Sequence, residues 1–237
     1  MRILATSILC ILLLYLFPSV ALSDVFVRDM IALNGREIML GAETRGKLFA
    51  KGGEVVEFFV DGRSIGKSLS GGDGMAFRQF KPLRTGIYKI TANSEKNKDN
   101  GLLLSLKKGD KVVFIDVKAG LFEGLFSAEP RAGSQNIVRK ISKRYPVVFL
   151  QTELAGVKAI KTWLDKNGFV KLPVIPWEQG AIFDEVSKKG LRIKAVIGSR
   201  AVIESAKEFN PKAFSFDEVE DAEEVRDWEE IGKKLSN

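Results

Sequence analysis

The hydrophobic pattern of this chain changes period near Asp110, which restricts it to a fold built from two unlike halves. Before that point, short apolar–polar alternations are separated by turn residues. Gly53 to Val60 runs into Asp61-Gly62, Arg63 to Leu69 runs into the Gly71–Gly74 cluster, and Met75–Phe80 and Gly86–Ala92 follow. Period-two alternation marks half-buried strands, and Asp-Gly is a strong hairpin signal. The polar stretch Asn93 to Asn100 reads as a loop before a last strand at Leu102–Leu106. Seven or so strands in roughly 85 residues predict an antiparallel β-sandwich.

Beyond Asp110, apolar strand runs alternate with amphipathic helices. Strands are predicted at 112–115, 147–150, 173–175 and 193–197. Helices are predicted from an N-cap at Ser134, then over 154–167, 181–189, 200–209 with Ser199 as N-cap, and 221–235. This alternation predicts a parallel, doubly wound α/β sheet with helices on both faces. Residues 24–110 are therefore assigned to the sandwich and 111–237 to the α/β domain, the two abutting without a flexible linker.

The first 23 residues read as a secretory signal, with basic Arg2, an apolar run to Leu16, Pro18 and the small residues Ala21 and Ser23. The run is shorter than the roughly 20 residues that span a bilayer, so export to the periplasm or medium is expected, with an uncleaved N-terminal anchor as the alternative. Cys10, the single cysteine, lies inside that run, so the mature chain has no disulfide. The sequence has no histidine, which removes histidine triads, histidine general bases and the usual zinc sites. Net charge is +7, and Arg2 accounts for one of these. Nine acids against one base lie between Asp217 and Glu230, so the rest of the chain is more basic than the total implies. That balance suits an anionic ligand or an acidic membrane surface; nucleic acid is not expected as a partner of an exported chain.

The order Val56-x-Phe58-x-Val60-Asp61-Gly62, Gly72-Asp73-Gly74-x-Ala76 and Gly86-x-Tyr88-x-Ile90-x-Ala92 resembles bacterial immunoglobulin-like modules. Such a module implies a spacer or adhesion role and a possible protein partner, but no chemistry. The second half resembles the haloacid-dehalogenase-like phosphatase fold, a three-layer Rossmann-like architecture. It is most similar to the divergent branch of lipins and the C-terminal domain of phosphatidylinositol-transfer proteins. The resemblance rests on Val112-Val-Phe-Ile-Asp116, Val147-Val-Phe-Leu-Gln-Thr152, Trp163 to Phe169, and Ile193-Lys-Ala-Val-Ile-Gly-Ser199, within about Lys111 to Lys212.

The phosphatase resemblance implies Asp116 as nucleophile, forming an aspartyl-phosphate if the site is active. It implies Thr152 as the hydroxyl holding a phosphoryl oxygen, and Lys188, with Lys194 as alternative, as the lysine neutralising phosphate charge. The departures carry more weight. Lys118 replaces the acid/base carboxylate two residues after Asp116, and Ser199 and Arg200 stand where metal-binding carboxylates belong. Mg²⁺ requires oxygen ligands, usually carboxylates, so no cofactor is expected. The leading expectation is a non-catalytic domain in which Asp116, Lys118, Thr152, Lys188, Ser199 and Arg200 hold a phosphate or phospholipid head group. One alternative is a Mg²⁺-dependent phosphatase with Glu204 or Glu123 substituting. The other is a structural or adhesion component of the envelope. In the structural reading Asp116 caps a loop or pairs with Lys118, Thr152 and Ser199 are N-caps, and Lys118 and Arg200 are solvated charges. Phe122, Phe126, Trp163 and Trp177 are expected mainly in the core rather than on a membrane-facing patch.

Overall fold

The computed structural model describes residues 24–46, 49–95, 97–124, 127–152 and 156–236. The expected signal segment, the start of the helix expected from 154 and Phe126 lie outside the described residues. Among those described, no helix is long and apolar enough to cross a membrane.

The first half contains β1 (Asp24–Val27), β2 (Met30–Leu33), β3 (Ile38–Arg45), β4 (Val55–Val60), β5 (Arg63–Leu69), β6 (Met75–Phe80), β7 (Gly86–Ser94) and β8 (Asn97–Leu106). They form two sheets, β1-β3-β6 and β2-β8-β7-β4-β5, whose inward residues, among them Val27, Leu40, Phe58, Ile90 and Leu103, share one core. The β4–β5 hairpin turns at Asp61 (φ 48°) and Gly62 (φ 82°). Two successive positive φ values are what the tight Asp-Gly turn of a twisted hairpin requires.

Two expectations need correction. The sandwich is not wholly antiparallel, because β2 runs parallel to β8. Asn93–Asn100 is not a loop: β7 and β8 pair continuously from Gly86↔Ser105 to Ser94↔Asn97. Its polar side chains find partners across and beyond the ladder, with Thr91 Oγ1 donating to Asn100 Oδ1 at 2.8 Å and Asp99 accepting from the Val27 amide at 2.8 Å.

The second half contains β9 (Lys111–Asp116), β10 (Val147–Gln151), β11 (Val174–Pro176), β12 (Arg192–Ile197), β13 (Lys212–Ser215) and a two-residue β14 (Glu223–Glu224). All pair in parallel in the order β11-β10-β9-β12-β13-β14. The helices are α1 (Ser134–Ser142), α2 (Val157–Lys166), α3 (Ala181–Lys188), α4 (Arg200–Ala206) and α5 (Trp228–Ser236). Side chains alternate between the faces of the central strands. Val113, Ile115, Phe149 and Ile197 pack with α1, α2 and α5, and Val112, Phe114, Val148 and Val196 with α3 and α4. The last helix is shorter than the expected 221–235, because Glu223–Glu224 adds an edge strand to β13 first. Ser134 is the first helical residue rather than the N-cap; Gly133 occupies the cap with no side-chain bond.

The halves share a core. Ile31, Leu104 and Leu106 of the sandwich belong to the same apolar cluster as Phe183, Ile182 and Val202. Beside it, the Asp29 carboxylate accepts from the Leu102 amide at 2.7 Å, the Val174 amide at 2.8 Å and Lys161 Nζ at 2.6 Å. One side chain from the β1–β2 connection thus ties β8 to α2 and to the edge strand of the parallel sheet. Burial holds the Asp29 carboxyl above its ordinary range, and Lys161 and the two amides pull it back down.

Candidate functional site

The chain leaves β9 toward β10 and β11, then crosses back to build β12, β13 and β14 on the other side. Ligands of open α/β sheets collect at such a switch point, outside the carboxyl ends of the strands. Asp116 is the last residue of β9, and the chain turns there through a five-residue π-helical segment, Val117–Leu121. Single π turns are uncommon and frequent at functional sites.

Asp116 is 1 % exposed. Its Oδ1 accepts from the Lys118 amide at 3.0 Å, the Ala119 amide at 3.4 Å and the Thr152 hydroxyl at 2.8 Å. Its Oδ2 accepts from the Ser199 amide at 3.3 Å. Gly198 lies so close that an added Cβ would stand 2.8 Å from the Asp116 Cβ. Gly198→Ala is therefore expected to displace either Asp116 or the β12–α4 turn and to cost about 1–3 kcal/mol, the usual range for overpacking; denaturant unfolding checks this.

A concavity of about 710 Å³ opens beside Asp116. Asp116, Lys118, Thr152 and Ser199 meet there, as the sequence led us to expect, but two other expected cations do not. Lys188 closes α3 at the opposite edge of the sheet, where Gly190 accepts from Gly109 and Arg192 bonds to Asp110; α3 runs antiparallel to the strands, so its carboxyl end cannot reach their carboxyl ends. Lys194 also lies at that far edge, 5.6 Å from the Tyr145 ring centre. Arg200 sits on the first turn of α4 and turns outward, donating to the Glu218 carbonyl at 3.5 Å. Glu204 is exposed on α4 and does not line the concavity, whereas Glu123 does. Ser199 occupies the N-cap of α4 without a side-chain capping bond.

Sequence reasoning missed Arg131. The chain from Leu121 to Arg131 doubles back, with the Arg131 amide on the Leu121 carbonyl at 2.6 Å and Phe122 bridging Pro130. This brings Arg131 into the wall of the concavity, its guanidinium 3.9 Å from the Phe216 ring centre. Its Nε is buried without a hydrogen-bond partner among the described residues. Burial pulls the guanidinium below its ordinary range, opposed by Asp217 and Glu123. The available signal was a cation between Pro130 and Gly133, in a loop returning to the tip of the central strand.

Phe122, Trp163 and Trp177 are half-buried at the margins of the core instead of inside it. Phe122 and Trp163 pack with ring centres 4.3 Å apart, and the Trp163 and Trp177 indoles donate to the Ala128 carbonyl and to Ser205 Oγ.

The residues do not fit Mg²⁺. Asp116 already accepts four donors from the chain itself, and no group of three or more His, Cys, Asp or Glu among the described residues is placed to share an ion.

No family model matches the sequence, and no curated protein is significantly similar to it. Solved structures share part of it. The fibronectin(III)-like modules of Clostridium thermocellum CbhA are 16 % identical over 35 % of this chain and 97 % of theirs, at a TM-score of 0.27. A putative membrane anchored protein from Corynebacterium diphtheriae is 18 % identical over 38 % of this chain and 22 % of its own, at 0.31. The D00-D0 domain of Intimin is 17 % identical over 35 % of this chain and 46 % of its own, at 0.30. The strand pairing itself shows a two-sheet β-sandwich followed by a parallel α/β sheet.

Proposed function

We propose that this chain is an exported, non-catalytic binding protein whose phosphatase-like α/β domain holds a phosphate-bearing group between Lys118 and Arg131, with the sandwich as its presenting module. The observation that carries the reading is a contrast within one concavity. The Asp116 carboxylate is engaged by four donors of its own chain, while the buried Nε of Arg131 lacks a partner among the described residues. Engaged in this way, Asp116 organises the β9 tip and the β12–α4 turn instead of attacking a ligand. A partly desolvated guanidinium with unused donor capacity favours an anion with matching acceptors. Glu123 and Asp217 line the same walls, so the group carrying the phosphate should itself offer donors, as a hydroxylated head group does.

Calorimetry with inorganic phosphate and glycerol phosphate tests this on the mature chain. Arg131→Gln is expected to weaken binding about tenfold or more, since a hydrogen bond to a charged group contributes roughly 1.5–3 kcal/mol. Turnover of a phosphomonoester with Mg²⁺ that disappears in Asp116→Asn would replace this reading with the phosphatase alternative. A second reading has its own observation: Met39 and Phe77 lie exposed on the outer face of the three-stranded sheet. Phosphate binding that is absent, or unchanged by Arg131→Gln, would favour this structural or adhesion role.

A further inference from the structure

The strongest concentration of unneutralised charge lies at the other end of the parallel sheet. There a concavity of about 470 Å³ is lined by Lys111, Arg192, Lys194 and Lys212 and by no acid. Three of these cations begin adjacent strands, and Arg192 stands directly opposite Lys111 in the ladder. Like charges facing each other across strands are destabilising, so folding alone does not favour that pair. A larger groove of about 910 Å³ between α1 and α5 is lined by Lys140, Lys143, Arg144 and Lys233, with Glu229 its one acid. None of these eight cations has an ion-pair partner within 4.0 Å among the described residues.

The two hollows adjoin. Tyr145 lines the groove and stacks against Lys194 of the smaller concavity, and Lys212 Nζ donates to the Lys234 carbonyl at 3.0 Å, beside groove residue Lys233. Helix ends account for some of this charge, since cations at the carboxyl ends of α1 and α5 suit their dipoles. Lys212 also serves a helix end, through its bond to the Lys234 carbonyl in the last turn of α5, whereas Lys111 and Arg192 begin strands, which have only small net dipoles.

We propose that this edge is a track for a linear, phosphate-bearing polyanion, separate from the pocket beside Asp116. The cations spread along two joined hollows instead of converging on one point, so a single phosphate would leave most of them unused. A flat bilayer fits less well: among the described residues, the exposed large apolar side chains (Met39, Phe49, Val55, Leu69, Phe77 and Leu83) all belong to the sandwich and none lies at this edge to enter a membrane interface. Clustered like charge in concave surfaces concentrates multivalent counter-ions and accelerates their capture.

The test is titration of the mature chain with long-chain inorganic polyphosphate, with tripolyphosphate, and with phosphatidylcholine vesicles containing phosphatidic acid. The long polymer is expected to bind best, with affinity falling steeply as salt rises from about 0.05 to 0.2 M because each phosphate contact releases counter-ions. The triple variants K111E/R192E/K212E and K140E/K143E/R144E should each weaken polymer binding by about tenfold or more on the same basis. Arg131→Gln should leave polymer binding unchanged, which separates this site from the one beside Asp116. If a reversal triple fails to fold by circular dichroism, its glutamine counterpart serves, with a smaller loss expected. Equal affinity for tripolyphosphate and polymer, binding to vesicles alone, or polymer binding indifferent to both triples overturns the proposal.

Discussion

Lys161→Met is expected to destabilise the folded chain by about 3–5 kcal/mol at neutral pH, the usual cost of leaving one partner of a buried ion pair alone. The Asp29 side chain is fully buried (0 % exposed) and Lys161 Nζ lies 2.6 Å from it. Without the ammonium, two backbone amides are all that remain to hold a charge between the halves of the molecule. The pH dependence has a definite sign. Burial raises the Asp29 carboxyl above its ordinary range in the folded state. The native chain therefore binds that proton more tightly than the unfolded chain, and its ionisation weakens folding as pH rises through the raised value. Removing Lys161 takes away the largest opposing pull, so the variant should lose most near neutrality and recover part of the loss on acidification. Asp29→Asn combined with Lys161→Met should regain stability relative to Lys161→Met alone, because no buried charge is left unpaired. Urea unfolding at neutral and mildly acidic pH measures both effects. A single variant as stable as the parent at both values would show that the shared apolar core alone joins the halves.

Trp228→Ala is expected to cost a similar amount, about 3–5 kcal/mol, and to disturb the concavity beside Asp116 as well. Trp228 is wholly buried under the sheet. Its indole donates to the Gly120 carbonyl at 2.9 Å, inside the π-helical turn that follows Asp116. Its ring centre lies 6.1 Å from that of Phe216, on which the Arg131 guanidinium rests. The chain of contacts runs from α5 to the turn and to the cation. Trp228→Phe keeps most of the packing but leaves the Gly120 carbonyl unpaired, and about 1–3 kcal/mol is expected from that loss. Thermal unfolding gives the stability change, and phosphate calorimetry on the folded fraction shows whether Arg131 has lost its seat. If Trp228→Phe is as stable as the parent, the indole bond contributes nothing to the turn.

The structure shows the parallel α/β sheet that the sequence led us to expect, and it brings together only part of the expected site. Asp116 and Thr152 were legible because a carboxylate and a hydroxyl ending neighbouring apolar strands must emerge together once the strands pair in parallel, and they bond at 2.8 Å. Lys188 was misplaced because a spacing read along one helix does not say which end of the sheet that helix terminates at. Arg200 was misplaced because a residue on the first turn of a helix can face the ligand or the solvent, and only its packing selects between them.

The periods of the sequence determined the two kinds of sheet, since alternation with period two and strand–helix alternation each bury apolar surface in one way only. Sequence also determined the Asp61-Gly62 turn, because few residue pairs accept two positive φ values. Three features were decided by tertiary structure alone: the clasp at Asp29, the entry of Arg131 beside Asp116, and the gathering of Lys111, Arg192 and Lys212 at one edge. The clasp and the cation edge join residues far apart along the chain, brought together by the order in which strands pair, and Arg131 returns through a loop closed by contacts at Leu121 and Phe122; local pattern records neither.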